Sequence, residues 1–233
     1  MTARRNFYLY MALTFGLVAF AGFAPTYFLR AFSDLPPLSI RAHVHGAVFT
    51  AWVLLFVAQV ALVRADRRDL HRRLGVAGAV LAIAMIGAGV AAVVGVAARF
   101  EVTGFRPHGL PPAAFLAVQL GMLLQFAAFV ALAIGFRRQG DVHKRLMLLA
   151  TISILPPAVA RFHLENHGLD IPNISTFVAY LLLVAAAAYD FVRARRVHAV
   201  YVWGGLAMLA WMFARVAIGR SEAWQPIARW LMD

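Results

Sequence analysis

Three histidines recur along the chain, each shortly after an arginine-rich turn and at the start of an apolar stretch. They are His71, His143 and His198. An imidazole can be an axial ligand of haem iron, a ligand of zinc, or a proton carrier near neutral pH. Because apolar stretches long enough to cross a bilayer separate them, we expect all three imidazoles at one membrane face. The pattern predicts a site there without specifying its reaction.

A second set of polar groups lies on one face of the predicted second helix. His45, Trp52 and Gln59 share this face with Phe49 and Phe56, because their spacing follows the helical period of 100° per residue. Stacking rings, one imidazole and one amide would suit the wall around a flat cofactor or a quinone head. The alternative is a packing face whose polar groups bond to neighbouring helices.

Asp190 is the one acid inside the sixth predicted span. Carboxylates within a membrane are costly and suggest a functional role, here as a metal ligand or a base. Arg193 follows it by three residues, so an ion pair along the same helix is the structural alternative.

The composition is that of a membrane protein. Hydrophobic residues make up 63% of the chain and charged residues 14%, which is too apolar for a soluble domain. The absence of cysteine excludes disulfides and thiolate metal sites. The net charge of +12 comes mostly from arginines in short turns, where positive charge sets topology, so we do not expect nucleic acid as a partner.

Seven apolar windows of about 20 residues have the length needed to cross about 30 Å of hydrocarbon. We therefore predict an all-α polytopic membrane protein: a single domain over residues 1–233, built as a seven-helix bundle of one helix and three helical hairpins. The pair Pro156 and Pro157 should bend the fifth helix. The predicted spans are Phe7–Phe28, His43–Val63, Leu74–Ala97, Pro112–Phe136, Leu146–Phe162, Ile174–Val192 and Val200–Ile218.

The distribution of positive charge predicts the orientation. If the N-terminus is cytoplasmic, the inner segments carry 14 of the 22 lysines and arginines, and 8 lie outside. The positive-inside rule then favours a cytoplasmic N-terminus and an external C-terminus in a bacterial inner membrane.

Four segments carry a resemblance to a known group of proteins: His45–Trp52, Leu70–Gly75, His143–Ile152 and Trp203–Gly205. With them the chain resembles a widespread set of seven-helix bacterial inner-membrane proteins, a resemblance that implies no particular reaction. More distantly, helices two to five are similar to transmembrane diheme cytochromes b.

The second resemblance implies one haem between helices three and five and another between helices two and four. His71 and His143 match the first of these pairs of ligands. The other pair would be His45 and His108, but His108 lies in a predicted loop before Pro111.

The leading hypothesis is an inner-membrane redox protein that binds b-type haem through His71 and His143. His45, Trp52 and Gln59 would line an outer cofactor or quinol pocket, and the partners would be the lipid bilayer and a quinol or an electron-transfer protein. One alternative is a hydrolase or oxygenase whose zinc or iron is held by three histidines, His71, His143 and His198, with Asp190 as a fourth ligand or a base. The other is a proton-coupled small-molecule transporter without a cofactor. The sequence leaves open whether the protein is an enzyme.

Overall fold

The computed structural model describes residues 2–106, 109–164 and 174–233, and over these residues the chain is helical, without a β-strand. A π-helical turn, Ala24–Phe28, and a 3₁₀ turn, Arg30–Phe32, follow the first helix. The α-helices in the described part are α1 (Thr2–Phe23), α2 (Ile40–Arg64), α3 (Arg68–Thr103), α4 (Pro112–Gly135), α5 (Gly140–Ser153), α6 (Pro156–Leu164), α7 (Ile174–Ala194), α8 (Ala199–Arg220) and α9 (Trp224–Met232).

Six helices in the described part are long and apolar enough to cross a membrane, and α5 with α6 makes a seventh if the broken pair is one span. The six are α1, α2, α3, α4, α7 and α8. This confirms the predicted all-α polytopic membrane fold.

The predicted fifth span is broken where the prolines stand. Helix α5 ends at Ser153 and α6 begins at Pro156. Proline lacks the N–H that a continuing helix needs, but it fits the first turn of a new one. The Leu155 N–H donates to the Ile152 carbonyl at 3.1 Å, and the Ser153 hydroxyl donates to the Ala150 carbonyl at 2.7 Å. These bonds satisfy carbonyls that the broken helix leaves open.

The described residues belong to two compact units, with α3 contributing to both. The first unit comprises residues 1–88 and 157–168. In it, α1 packs on α2. Gly16 of α1 faces Val53 and Val57 of α2, and Gly22 lies directly against the backbone of Ala158 in α6. Small residues permit such close approach where lipid removes the hydrophobic driving force.

The second unit comprises residues 89–156 and 169–233, and α4 lies at its centre, packed on α5, α8 and α9. Leu116, Phe126 and Ala133 of α4 are completely buried. Gly219 of α8 lies against the backbone of Ala114, so that a Cβ there would come within 2.8 Å of the Ala114 Cα.

Helix α9 was not among the predicted elements. It is too short to span a bilayer, and it packs against other helices of the second unit. The Trp224 indole donates to the Ala113 carbonyl at 2.7 Å, and Ala228 is completely buried.

Candidate functional site

The polar and aromatic face of α2 points into the first unit. Trp52 is 3% exposed and Phe56 is also buried. Phe56 meets Phe15 of α1 edge to face, with ring centroids 6.4 Å apart. The His45 ring stacks on Phe49 at a centroid distance of 4.1 Å. The middle of this face, at Trp52 and Phe56, is therefore buried inside the first unit.

Two buried atoms on this face lack a hydrogen-bond partner among the described residues: His45 Nδ1 and Gln59 Oε1. Leaving such an atom unsatisfied costs about 1–3 kcal/mol. The second ring nitrogen of His45 interacts with the backbone of Ala88. Gln59 faces α3, since its Nε2 would lie 3.8 Å from a Cβ on Gly75. The face thus retains unused hydrogen-bonding capacity at each end.

The two ends are too far apart for one small ring. His45 and Gln59 are separated by four helical turns, which is about 21 Å at 1.5 Å per residue. A single small ring could not contact both side chains. The single pocket that the sequence predicted along this face is therefore better described as two separate positions.

A cation, Arg161, lies near the His45 end of this face. The charge distribution in the sequence had placed it only among the outer positive charges. The Arg161 guanidinium lies 4.0 Å above the centroid of the Phe23 ring. Its Nε donates to Thr26 Oγ1 at 3.1 Å, and its Nη1 donates to the Pro157 carbonyl at 2.6 Å. Its charge acts on the His45 imidazole. This end of α2 therefore combines an imidazole, aromatic rings and a positive charge.

The recurring histidines have different environments. His143 Nδ1 lies 2.8 Å from the Ala133 carbonyl oxygen, so this nitrogen carries the proton and donates, and Nε2 carries the lone pair. Metal-binding histidines are commonly oriented by such a bond. His71 is half-buried in the first turn of α3, within the first unit. Convergence of the recurring histidines stays a prediction.

His198 has a structural role. Its Nδ1 accepts a hydrogen bond from the Val200 N–H at 3.2 Å and so caps α8. Burial, with a smaller contribution from the Arg145 charge, lowers the pKa of this imidazole below its usual value.

Asp190 is in an ion pair, and its partner is not the one expected. Both carboxylate oxygens accept hydrogen bonds from Arg145, with Nε to Oδ2 at 2.9 Å and Nη2 to Oδ1 at 2.8 Å. Arg193 instead lies over the Tyr189 ring, 5.8 Å from its centroid. A pair with Arg193 was one of the two interpretations of Asp190 from the sequence, because spacing along one helix indicates only neighbours in the sequence.

The described residues contain no group of three or more histidine, aspartate or glutamate side chains placed to hold a metal ion. With both oxygens of Asp190 engaged by Arg145, nothing in this part of the chain supports the three-histidine metal site. His108, the expected partner of His45 for a second haem, lies outside the described residues.

Two buried arginines were not recognised from the sequence. Arg145 and Arg215 are buried in the second unit, as is Gln125. Arg161 and Arg215 fall inside the predicted fifth and seventh spans, and a charge at such a position could have identified them.

No protein-family model, curated protein or solved structure matches this chain.

Proposed function

We propose that this protein is a bacterial inner-membrane redox protein that binds b-type haem and that His143 would help to hold the haem. The hydrogen bond from His143 Nδ1 to the Ala133 carbonyl carries the proposal, because it fixes the ring and directs the Nε2 lone pair away from α4. The resemblance to diheme cytochromes b also implies His71 as a ligand, but His71 belongs to the first unit, and the geometric support for the proposal comes from His143 in the second. Haem bound here would supply one-electron chemistry.

The residues around His143 suit a group with acidic substituents. Lys144 and Arg145 follow it on α5, and Asp141 accepts hydrogen bonds from both. Arg145 is held by Asp190 and Lys144 by Asp141, so a haem propionate near this turn would share Lys144 with the exposed Asp141 carboxylate. The residues present therefore fit haem in charge and in donor type.

The His45 end of α2 is the proposed quinol position. The buried Nδ1 of His45 has no described partner and can accept a hydrogen bond from a quinol hydroxyl. Phe49, stacked on His45, offers a ring surface for the quinol head. In this proposal the N-terminus is cytoplasmic and the C-terminus external, which a reporter fused after Asp233 would contradict by being active only in the cytoplasm.

The test is the absorption spectrum of the purified full-length protein, oxidised and dithionite-reduced, with the haem type identified as its pyridine complex. We expect a Soret band that is lost in H143A. H198N is the matched control, because asparagine keeps the α8 cap while removing an imidazole from the same recurring pattern. A colourless wild-type protein from haem-supplemented cells would overturn the proposal. Stoichiometric zinc or iron without haem would favour the hydrolase or oxygenase, and a protein with neither would favour the transporter.

A further inference from the structure

Arg215 is a buried arginine in the membrane-spanning helix α8 of the second unit, and it is 3% exposed. Its guanidinium has no carboxylate partner among the described residues. Among these residues, Arg215 donates one long hydrogen bond, from Nη2 to Thr176 Oγ1 of α7 at 3.5 Å. Burying a charge without a counter-charge costs several kcal/mol, so this site needs a negative partner.

A second unsatisfied donor lies close to it. Arg215 Nε and Gln125 Nε2 are both buried and make no hydrogen bond with a described residue. Gln125, on α4, is 8% exposed. Both side chains lie near Tyr180 of α7, whose oxygen is a poorly aligned acceptor for the Gln125 amide and whose hydroxyl donates to the Met208 carbonyl at 3.1 Å. Since both unsatisfied atoms are N–H groups, the missing partner is a hydrogen-bond acceptor.

The residues packed around Arg215 hold its side chain against α4, inside the second unit. The Trp211 indole donates to the Gly121 carbonyl at 2.8 Å and joins α8 to α4. A Cβ on Gly121 would lie 3.1 Å from the Arg215 Cβ, so the glycine lets the arginine lie against α4. The planar edge formed by Nε and Nη2 matches the two oxygens of a carboxylate or phosphate.

We propose that Arg215, Gln125 and Thr176 bind an oxyanion, a carboxylate or a phosphate, within the second unit. Thr176 lies about 3 Å along α7 from its start, and Arg215 lies about 8 Å along α8 from its end, at 1.5 Å per residue. The proposed site therefore lies near one end of each of these helices. It is either a small soluble anion or the acidic head of a membrane amphiphile. This inference does not depend on the binding of haem.

The test measures the unfolding temperature of the full-length protein in nanodiscs of zwitterionic phosphatidylcholine. The probes are acetate, inorganic phosphate, decanoate and the neutral decanol. We expect at least one oxyanion probe, and not decanol, to raise the unfolding temperature. Stabilisation by acetate or phosphate identifies a soluble anion, whereas stabilisation by decanoate alone identifies an amphiphile. In R215Q the half-saturating concentration should rise at least about tenfold, because a charge-assisted bond is lost.

R220Q is the matched control, since it removes the same charge from an exposed position on the same helix. It should respond to the probes as the wild type does. R215K keeps the positive charge but loses the planar guanidinium group, and Q125L removes the second donor. Each of these variants should weaken the response to the probes by a smaller factor than R215Q. If R215Q does not fold, these two variants test the proposal in its place.

The proposal is overturned if no oxyanion raises the wild-type unfolding temperature, if R215Q, R215K and Q125L respond like the wild type, or if decanol acts as strongly as decanoate. Glu165 and Asp170 are the acids outside the described residues. If E165Q or D170N lowers the unfolding temperature while the probes have no effect, the counter-charge belongs to the chain itself, which also overturns the proposal.

Discussion

Arg145 and Asp190, 45 residues apart in the sequence, form a buried ion pair with two parallel hydrogen bonds between α5 and α7. The Arg145 guanidinium also donates to the Asp141 carbonyl at 2.7 Å and lies 5.6 Å from the centroid of the Tyr201 ring on α8. One arginine thus links three helices of the second unit.

Breaking this pair should destabilise the second unit strongly. R145M or D190L alone leaves a buried charge without its partner and should cost about 3–5 kcal/mol of unfolding free energy. The double variant R145M/D190L should recover much of this loss, because no unpaired charge remains. Unfolding in detergent or nanodiscs measures both. R193Q, which removes the exposed neighbour of Asp190 in the sequence, should have little effect, and a loss equal to that of R145M would contradict the assignment of the partner.

Gly22 should not tolerate a larger side chain. A Cβ at this position would overlap the Ala158 carbonyl, so G22A forces α1 and α6 apart and should cost about 1–3 kcal/mol. G87A is the control, since a Cβ on Gly87 of α3 would meet nothing within 4 Å. Alanine there should be neutral or stabilise the helix by up to about 1 kcal/mol. Equal unfolding temperatures for the two variants would show that the contact is not needed.

The short helix α9 should depend on Trp224. W224F removes the hydrogen bond to the Ala113 carbonyl and should cost about 0.5–1.5 kcal/mol. We expect faster proteolysis of the segment after α8 in this variant, measured by limited digestion and mass spectrometry. W230F changes an indole on the same helix that is 76% exposed and should leave the rate unchanged.

His198 should make stability depend on pH. Its pKa is lowered in the folded protein by burial and then by the Arg145 charge, against the opposing charges of Asp190 and Asp141. The unfolded chain therefore binds the proton more readily, and stability that is present above the ordinary pKa of 6.5 is lost as the pH falls below it. Protonation also removes the acceptor that caps α8 at Val200.

The check is the unfolding temperature between about pH 5 and pH 8. H198N keeps a cap that does not titrate in this range, so its curve should be flatter than that of the wild type. Parallel curves for the two proteins would assign the pH dependence to other groups.

Much of the fold could be predicted because its determinants are local. The length and apolarity of each window predicted the spans, Pro156 predicted the break between α5 and α6, and the spacing from His45 to Gln59 predicted which residues of α2 share a face. These properties depend on the rise and period of a single helix and need no knowledge of its neighbours.

The partners of the polar side chains were decided only by the tertiary structure. Asp190 has an arginine one turn away in the sequence, yet the rotation of α7 against α5 pairs it with Arg145. Arg215, Gln125 and Thr176 come from three helices, and no spacing within one helix brings them together. Hydropathy predicts which segments enter the membrane, whereas side-chain packing between helices decides which buried donor meets which acceptor.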